Sequence, residues 1–133
     1  MRGDSLVLTR SLERFNSEFD FTDSIVIGTN WDFNMLDLLV TVDYYWDTQD
    51  DKNKNRELTI RFKSCKEAIF NLPQIFSDIP SNERQSYVLS WYTITHCYSK
   101  SNNGLLEVSI KTVDDNPTWL TVKCEEVWVE YKE

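Results

Sequence analysis

From Leu36 to Asp47 the chain alternates apolar and polar side chains over its longest unbroken stretch. Leu36, Leu38, Val40, Val42, Tyr44 and Trp46 share one parity, and Asp37, Leu39, Thr41, Asp43, Tyr45 and Asp47 share the other. Successive side chains of a strand point to opposite faces, so this spacing predicts a strand with one apolar face and one acidic, aromatic face. A strand wet on one side belongs in an antiparallel sheet. Leu58, Ile60 and Phe62 alternate with Glu57, Thr59, Arg61 and Lys63 and predict its antiparallel partner. The partner's polar face is basic, so Arg61 and Lys63 are placed to neutralise part of the acidity at Asp37 and Asp43 across the ladder.

Upstream, Leu8, Leu12, Phe15 and Phe19 recur at helical spacing, and Ser11 can cap the start; a short helix near 8–18 is expected, with a strand over Ser5–Thr9 as the competing reading. Phe15, Phe19 and Phe21 then read as core. Ile25–Val26–Ile27 predicts a short buried strand ended by Gly28, followed by a polar turn at 29–34 carrying Trp31 and Phe33. These two aromatics either lid the core edge or stand out as anchors for a partner. Residues 47–56 contain no apolar side chain and predict a hairpin loop. Asp51, Asn53 and Asn55 match the first three ligand positions of an EF-hand, but Arg56 and Phe62 stand where the motif needs Gly and Glu, which excludes that site.

Ser64–Leu72 is compatible with either a strand or a helical turn ended by Pro73. Residues 73–86 read as a connection. The last third is strand-rich: a β run within Tyr87–Tyr98, a hairpin turn at Ser99–Gly104 signalled by Asn103-Gly104, an alternating run at Leu106, Val108 and Ile110, a turn at Asp114–Pro117, and strands over Trp119–Cys124 and Val127–Tyr131. Parity slips between Cys124 and Val127, which predicts a bulge or bend at Glu125-Glu126. The expected fold is mainly β, with α+β the variant: one domain over residues 1–133, an antiparallel sheet of six to eight strands folded as a sandwich or roll, and a short N-terminal helix.

Charge changes this picture at one place. The 133 residues carry a net charge of −8, and residues 1–51 hold eleven acidic and three basic side chains, so the imbalance lies entirely there. Such a surface repels nucleic acid and anionic membranes and favours a basic partner, although acidity also serves solubility alone. No apolar run reaches the roughly 18 residues of a membrane span. The N-terminus lacks the apolar core of a signal peptide. Cys65, Cys97 and Cys124 are far apart and odd in number, without a Cys-x-x-Cys pair, and read as structural thiols of a reducing cytoplasm.

Catalytic patterns are missing. His96 and Cys97, as neighbours in a strand, point to opposite faces and cannot form a dyad. Asp43 and Asp47 stand about 13 Å apart at the usual rise, too far for a glycosidase pair. Isolated glycines make no phosphate loop. No catalytic residue, metal site or cofactor is expected. Aromatics ringed by charge mark protein interfaces, and Trp31, Asp32, Asp43, Tyr45, Asp47, Asp50 and Asp51 have that composition.

A small, acidic, β-rich domain with Asn30-Trp31-Asp32 ahead of Leu-rich strands and a strand-ending Val122-Lys123-Cys124-Glu125 resembles the immunity proteins of bacterial polymorphic toxin systems. The resemblance implies a non-enzymatic module that neutralises a basic toxin domain, commonly a nuclease, through its acidic face. The other function in view is a small-ligand or carbohydrate-binding sandwich, which requires a concave aromatic pocket.

Overall fold

The computed structural model describes residues 5–32, 35–44, 56–71, 80, 82, 92–112 and 118–132. Phe33, the loop 47–55, nearly all of the connection 73–86, Tyr87–Trp91 and the turn 114–117 lie outside the described residues.

The elements are β1 (Ser5–Thr9), α1 (Leu12–Glu18), β2 (Ile25–Asp32), β3 (Asp37–Tyr44), β4 (Arg56–Lys63), β5 (Glu67–Phe70), β6 (Ile94–Asn102), β7 (Leu105–Thr112), β8 (Leu120–Cys124) and β9 (Glu126–Lys132). Two antiparallel sheets form, one in the order β1-β9-β4-β3-β2 and the other β5-β8-β7-β6. The mainly β sandwich with a short N-terminal helix is therefore what the chain builds, with nine strands among the described residues.

Alternation sets the inner faces. Leu38, Val40 and Val42 of β3, Leu58, Ile60 and Phe62 of β4, and Val127 and Val129 of β9 are buried against Val108 and Ile110 of β7 and Leu120, Val122 and Cys124 of β8. The long alternating run pairs with 56–62 in the expected antiparallel sense, with Val40 opposite Ile60 and Val42 opposite Leu58. Its first apolar residue departs from the pattern: Leu36 is exposed in the β2–β3 turn, whereas Asp37, on the polar parity, is buried.

The N-terminal segment yields both competing elements. Leu8 belongs to β1, and the helix starts after Ser11, whose Oγ accepts from the Arg14 backbone N–H. This cap satisfies one of the donors that a helix start leaves open. Phe15 is buried, and Phe21 packs between it and Tyr44, at centroid distances of 5.5 and 5.3 Å. The helix touches β9 of one sheet and reaches β6 of the other through the Ser99 hydroxyl donating to Asn16 Oδ1.

Two expectations are corrected. Gly28 does not end a strand, and 29–32 is not a turn. β2 runs through to Asp32, with Thr29, Asn30, Trp31 and Asp32 laddered to Val40, Leu39, Leu38 and Asp37. The register shifts between Val26 and Gly28, so the strand absorbs an extra residue in a bulge rather than stopping. Glycine in a strand is compatible with either outcome, and the pairing with β3 decides it. Within the stretch left open at 64–72, Glu67–Phe70 is strand and pairs with β8, after a corner at Ser64 with φ +51°, and Leu72 lies outside the described residues. The parity slip at Glu125 is the point where the chain leaves β8 in one sheet for β9 in the other. At Asn103-Gly104 both φ angles are positive, 54° and 83°, which matches the two-residue type I′ hairpin turn.

Candidate functional site

Three regions of the sandwich carry chemistry: a charged cluster on the outside of the larger sheet, the edge of β2, exposed and without a ladder partner among the described residues, and an aromatic-walled cavity beside that edge.

The cluster is centred on Arg61. β4 points it outward, between Leu39 of β3 and Trp128 of β9 in the ladder. Its Nε donates to Glu130 Oε2 at 2.7 Å and its Nη2 to Glu130 Oε1 at 3.4 Å, a forked pair. Its Nη1 donates to Asp37 Oδ2 at 2.9 Å and also to Asp32 Oδ2. Asp32 and Asp37 are directly opposed across β2 and β3, so two like charges are held together by the guanidinium between them. One side chain thereby ties β9, β4, β3 and β2. Asp37 is the most committed of the carboxylates: Lys63 Nζ lies 3.2 Å from its Oδ2, and the Ser64 backbone N–H donates to its Oδ1 at 3.0 Å. Burial pushes the Asp37 carboxyl upward, but the bonds from Ser64, Arg61 and Lys63 outweigh it and hold the group below the usual range. The Arg61 guanidinium, despite its burial, is held protonated more firmly than usual by Glu130, Asp32 and Asp37. Beside the cluster, the Trp128 ring lies under Arg10 and Lys63 at 4.3 and 4.8 Å and donates its Nε1–H to Glu126.

Among the described strands β2 is one of the two edges of its sheet, β1 being the other. Among the described residues only the beginning of β2 meets the other sheet's chain, through the Ile25–Thr93 bridge and the Val26 N–H donating to the Tyr92 carbonyl. From Ile27 to Trp31 every residue is exposed. Ile27 is 49% exposed and Trp31 37%, and the turn that follows presents Met35 and Leu36. Trp31 shares a parity with the buried Leu38 opposite it, yet is exposed on the outermost described strand of the sheet.

Against this edge lies a cavity of roughly 390 Å³, lined among the described residues by Val26, Ile27, Gly28, Thr29, Phe70, Tyr92 and Trp119. Four consecutive residues of β2, of both parities, line it, so it follows the strand's edge rather than one face. Trp119 anchors its aromatic wall, with Phe70 and Tyr92 packed edge-on at 5.8 and 5.7 Å. Burial raises the Tyr92 phenol above its ordinary range.

The structure separates the residues that composition grouped. Trp31 and Asp32 sit at the turn end of the β2–β3 hairpin, and Asp43 sits at the other end, opposite Ile25 and Glu57. Asp43 stands five residues along β3 from Leu38, the partner of Trp31, a span of about 17 Å. Asp32 gives its carboxylate to Arg61, and Asp37 is buried, so part of the acidity is spent within the sheet, as the basic face of β4 led one to expect for Asp37. Tyr45, Asp47, Asp50 and Asp51 lie outside the described residues. Sequence reasoning missed Glu130 as the third carboxylate on Arg61. Its polar position between Val129 and Tyr131 was a signal, but the β9–β4 neighbourhood that gives it meaning is not local. The cavity was also missed, because Phe70, Tyr92 and Trp119 come from three distant segments.

His96 is exposed on β6, its Nδ1 3.3 Å from Thr95 Oγ1, while Cys97 packs toward the core. Among the described residues no three His, Cys, Asp or Glu side chains converge as a metal site needs, and no helix is long and apolar enough to cross a membrane. No family model, curated protein or solved structure matches the chain.

Proposed function

We propose that the protein is a non-enzymatic protein-binding module, of the immunity type, that engages and neutralises a basic partner such as a toxin domain. The observation that carries this reading is the exposed edge of β2 and its turn, which present Ile27, Trp31, Met35 and Leu36 within an acidic part of the chain. Residues 15–51, which contain that edge, hold nine acidic and no basic side chains. Exposed apolar anchors in a charged surround are the composition of a recognition surface, and the surrounding charge would steer a basic partner toward it. Asp20 and Asp23 are exposed just ahead of β2, so acidity remains on the surface beyond what Arg61 and Lys63 neutralise.

The test is capture of basic proteins on the immobilised protein at low salt, followed by elution with salt. The wild type is expected to retain a basic protein, and Asp43→Lys to lose most of it. Equal retention by Asp43→Lys removes the acidic patch from the function.

The aromatic-walled cavity favours a second reading, a site for a small apolar or carbohydrate ligand stacking on Phe70, Tyr92 or Trp119. A thermal-shift screen of monosaccharides and aromatic small molecules examines it. A stabilisation lost in Phe70→Ala would support it.

A further inference from the structure

We propose that the edge of β2 is a strand-addition site: an extended segment of a protein partner pairs with Ile27–Asp32 and seats one apolar side chain in the cavity against Phe70, Tyr92 and Trp119. This rests on the protein-binding reading and states how that binding is made.

A sheet edge offers backbone donors and acceptors at the spacing of an extended chain, and natural proteins usually blunt such edges with short strands, lysines, prolines or inward charges. β2 has none of these devices between Ile27 and Trp31. It is eight residues long, contains no Lys or Pro, and carries exposed Ile27 and Trp31 instead. A bulge is present, but the strand continues past it in regular register for five residues.

The cavity makes the edge selective. A side chain of an added strand that points toward the sandwich interior would drop between the two sheets, where Trp119 and its two edge-on partners supply an apolar wall. Gly28 leaves the approach clear. A Cβ built there meets nothing within 4 Å, so the backbone is bare beside the cavity.

The occupant's other property is its charge. β2 and both its flanks lie in the 37-residue stretch without a basic side chain. Exposed Asp20 and Asp23 precede the strand, and half-buried Asp43 with exposed Glu57 stand at the same end, opposite Ile25. An added strand with apolar residues on one parity and Lys or Arg on the other satisfies the edge, the cavity and the field together.

The probe is a set of eight-residue synthetic peptides in which Lys alternates with Val, Ile, Leu or Phe, titrated calorimetrically. Each has a control N-methylated at every second backbone amide, a modification that keeps side chains and charge but removes ladder hydrogen bonds. At least one peptide is expected to bind, its N-methylated control at least tenfold more weakly. Gly28→Val, whose Cβ meets nothing within 4 Å and whose branch stands in the approach, and Trp31→Lys, which sets a cation on the edge, are each expected to weaken binding tenfold or more. Circular dichroism and unfolding midpoints show that both variants are folded. Binding by none of the peptides, equal binding of an N-methylated control, or unchanged affinity in both variants overturns the proposal. Sedimentation adds one more outcome: a wild-type dimer broken by Trp31→Lys assigns the edge to a second copy of this chain and overturns it too. If basic-protein capture still depends on Asp43 while the peptides fail, protein binding stands and strand addition falls.

Discussion

Arg61 holds more of the surface architecture than any other polar residue described. It is charged, four-fifths covered, and shared by three carboxylates from β2, β3 and β9. Replacing it with leucine leaves Glu130 buried without the cation described for it and Asp37 with Lys63 alone, and stranding a buried charge in this way costs about 3 kcal/mol or more. Urea unfolding of Arg61→Leu is expected to show a midpoint lowered accordingly, and Arg61→Lys should recover only part, because a point charge cannot reproduce the fork on Glu130. Asp37 makes the same cluster sensitive to acid. Its folded-state pKa lies below its unfolded one, so its contribution to stability is complete above the ordinary aspartate range and is lost as pH falls through the folded value. Unfolding free energy measured from pH 7 down to pH 2 should therefore fall below about pH 4, and fall less steeply in Asp37→Asn. Cys124 is buried and Cys65 and Cys97 are half-buried. Burial pushes Cys97 and Cys124 up to about 12 and raises Cys65 as well. With a thiol-specific chromogenic reagent at pH 8, the native protein is expected to react slowly, and urea to release all three thiols at once.

At the scale of elements, local chemistry and pairing share the decisions. The Asn103-Gly104 turn is local: Gly104 holds φ +83°, and substitution by alanine is expected to lower stability by about 1 kcal/mol, measured as a shifted thermal midpoint. Ser11 is equally local, a cap read correctly from a serine ahead of a helical apolar stripe. The strand signals of β3, β4 and β7 were legible because each alternates cleanly and each has one buried face. β2 was not legible beyond Ile27, since Gly28-Thr29-Asn30 carries the composition of a turn. It is a strand because β3 supplies its ladder, and pairing partners leave no mark on the sequence of the strand they complete. The ambiguity over Ser64–Leu72 had the same origin: Ala68, Ile69 and Leu72 suit a helix, but β8 offers an open edge and Glu67–Phe70 takes it.

For the molecule as a whole, the sequence by itself determined a mainly β sandwich, its antiparallel sense, most of the inner face and the acidity concentrated in the first 51 residues. Those properties follow from period-2 patterning, turn chemistry and charge counts, which are local or additive. Only the tertiary structure decided which charges remain outside, because Arg61 reaches Asp32, Asp37 and Glu130 through strand order rather than chain order. It also decided that Trp31 and Asp43 stand at opposite ends of a hairpin rather than in one patch, and that β2 is an edge. The cavity beside that edge is likewise a product of packing: Phe70 and Trp119 meet along the β5–β8 pairing, Tyr92 joins them from just ahead of β6, and side chains dozens of residues apart become neighbours by burial, whose driving force is non-directional and carries no signature in the local pattern.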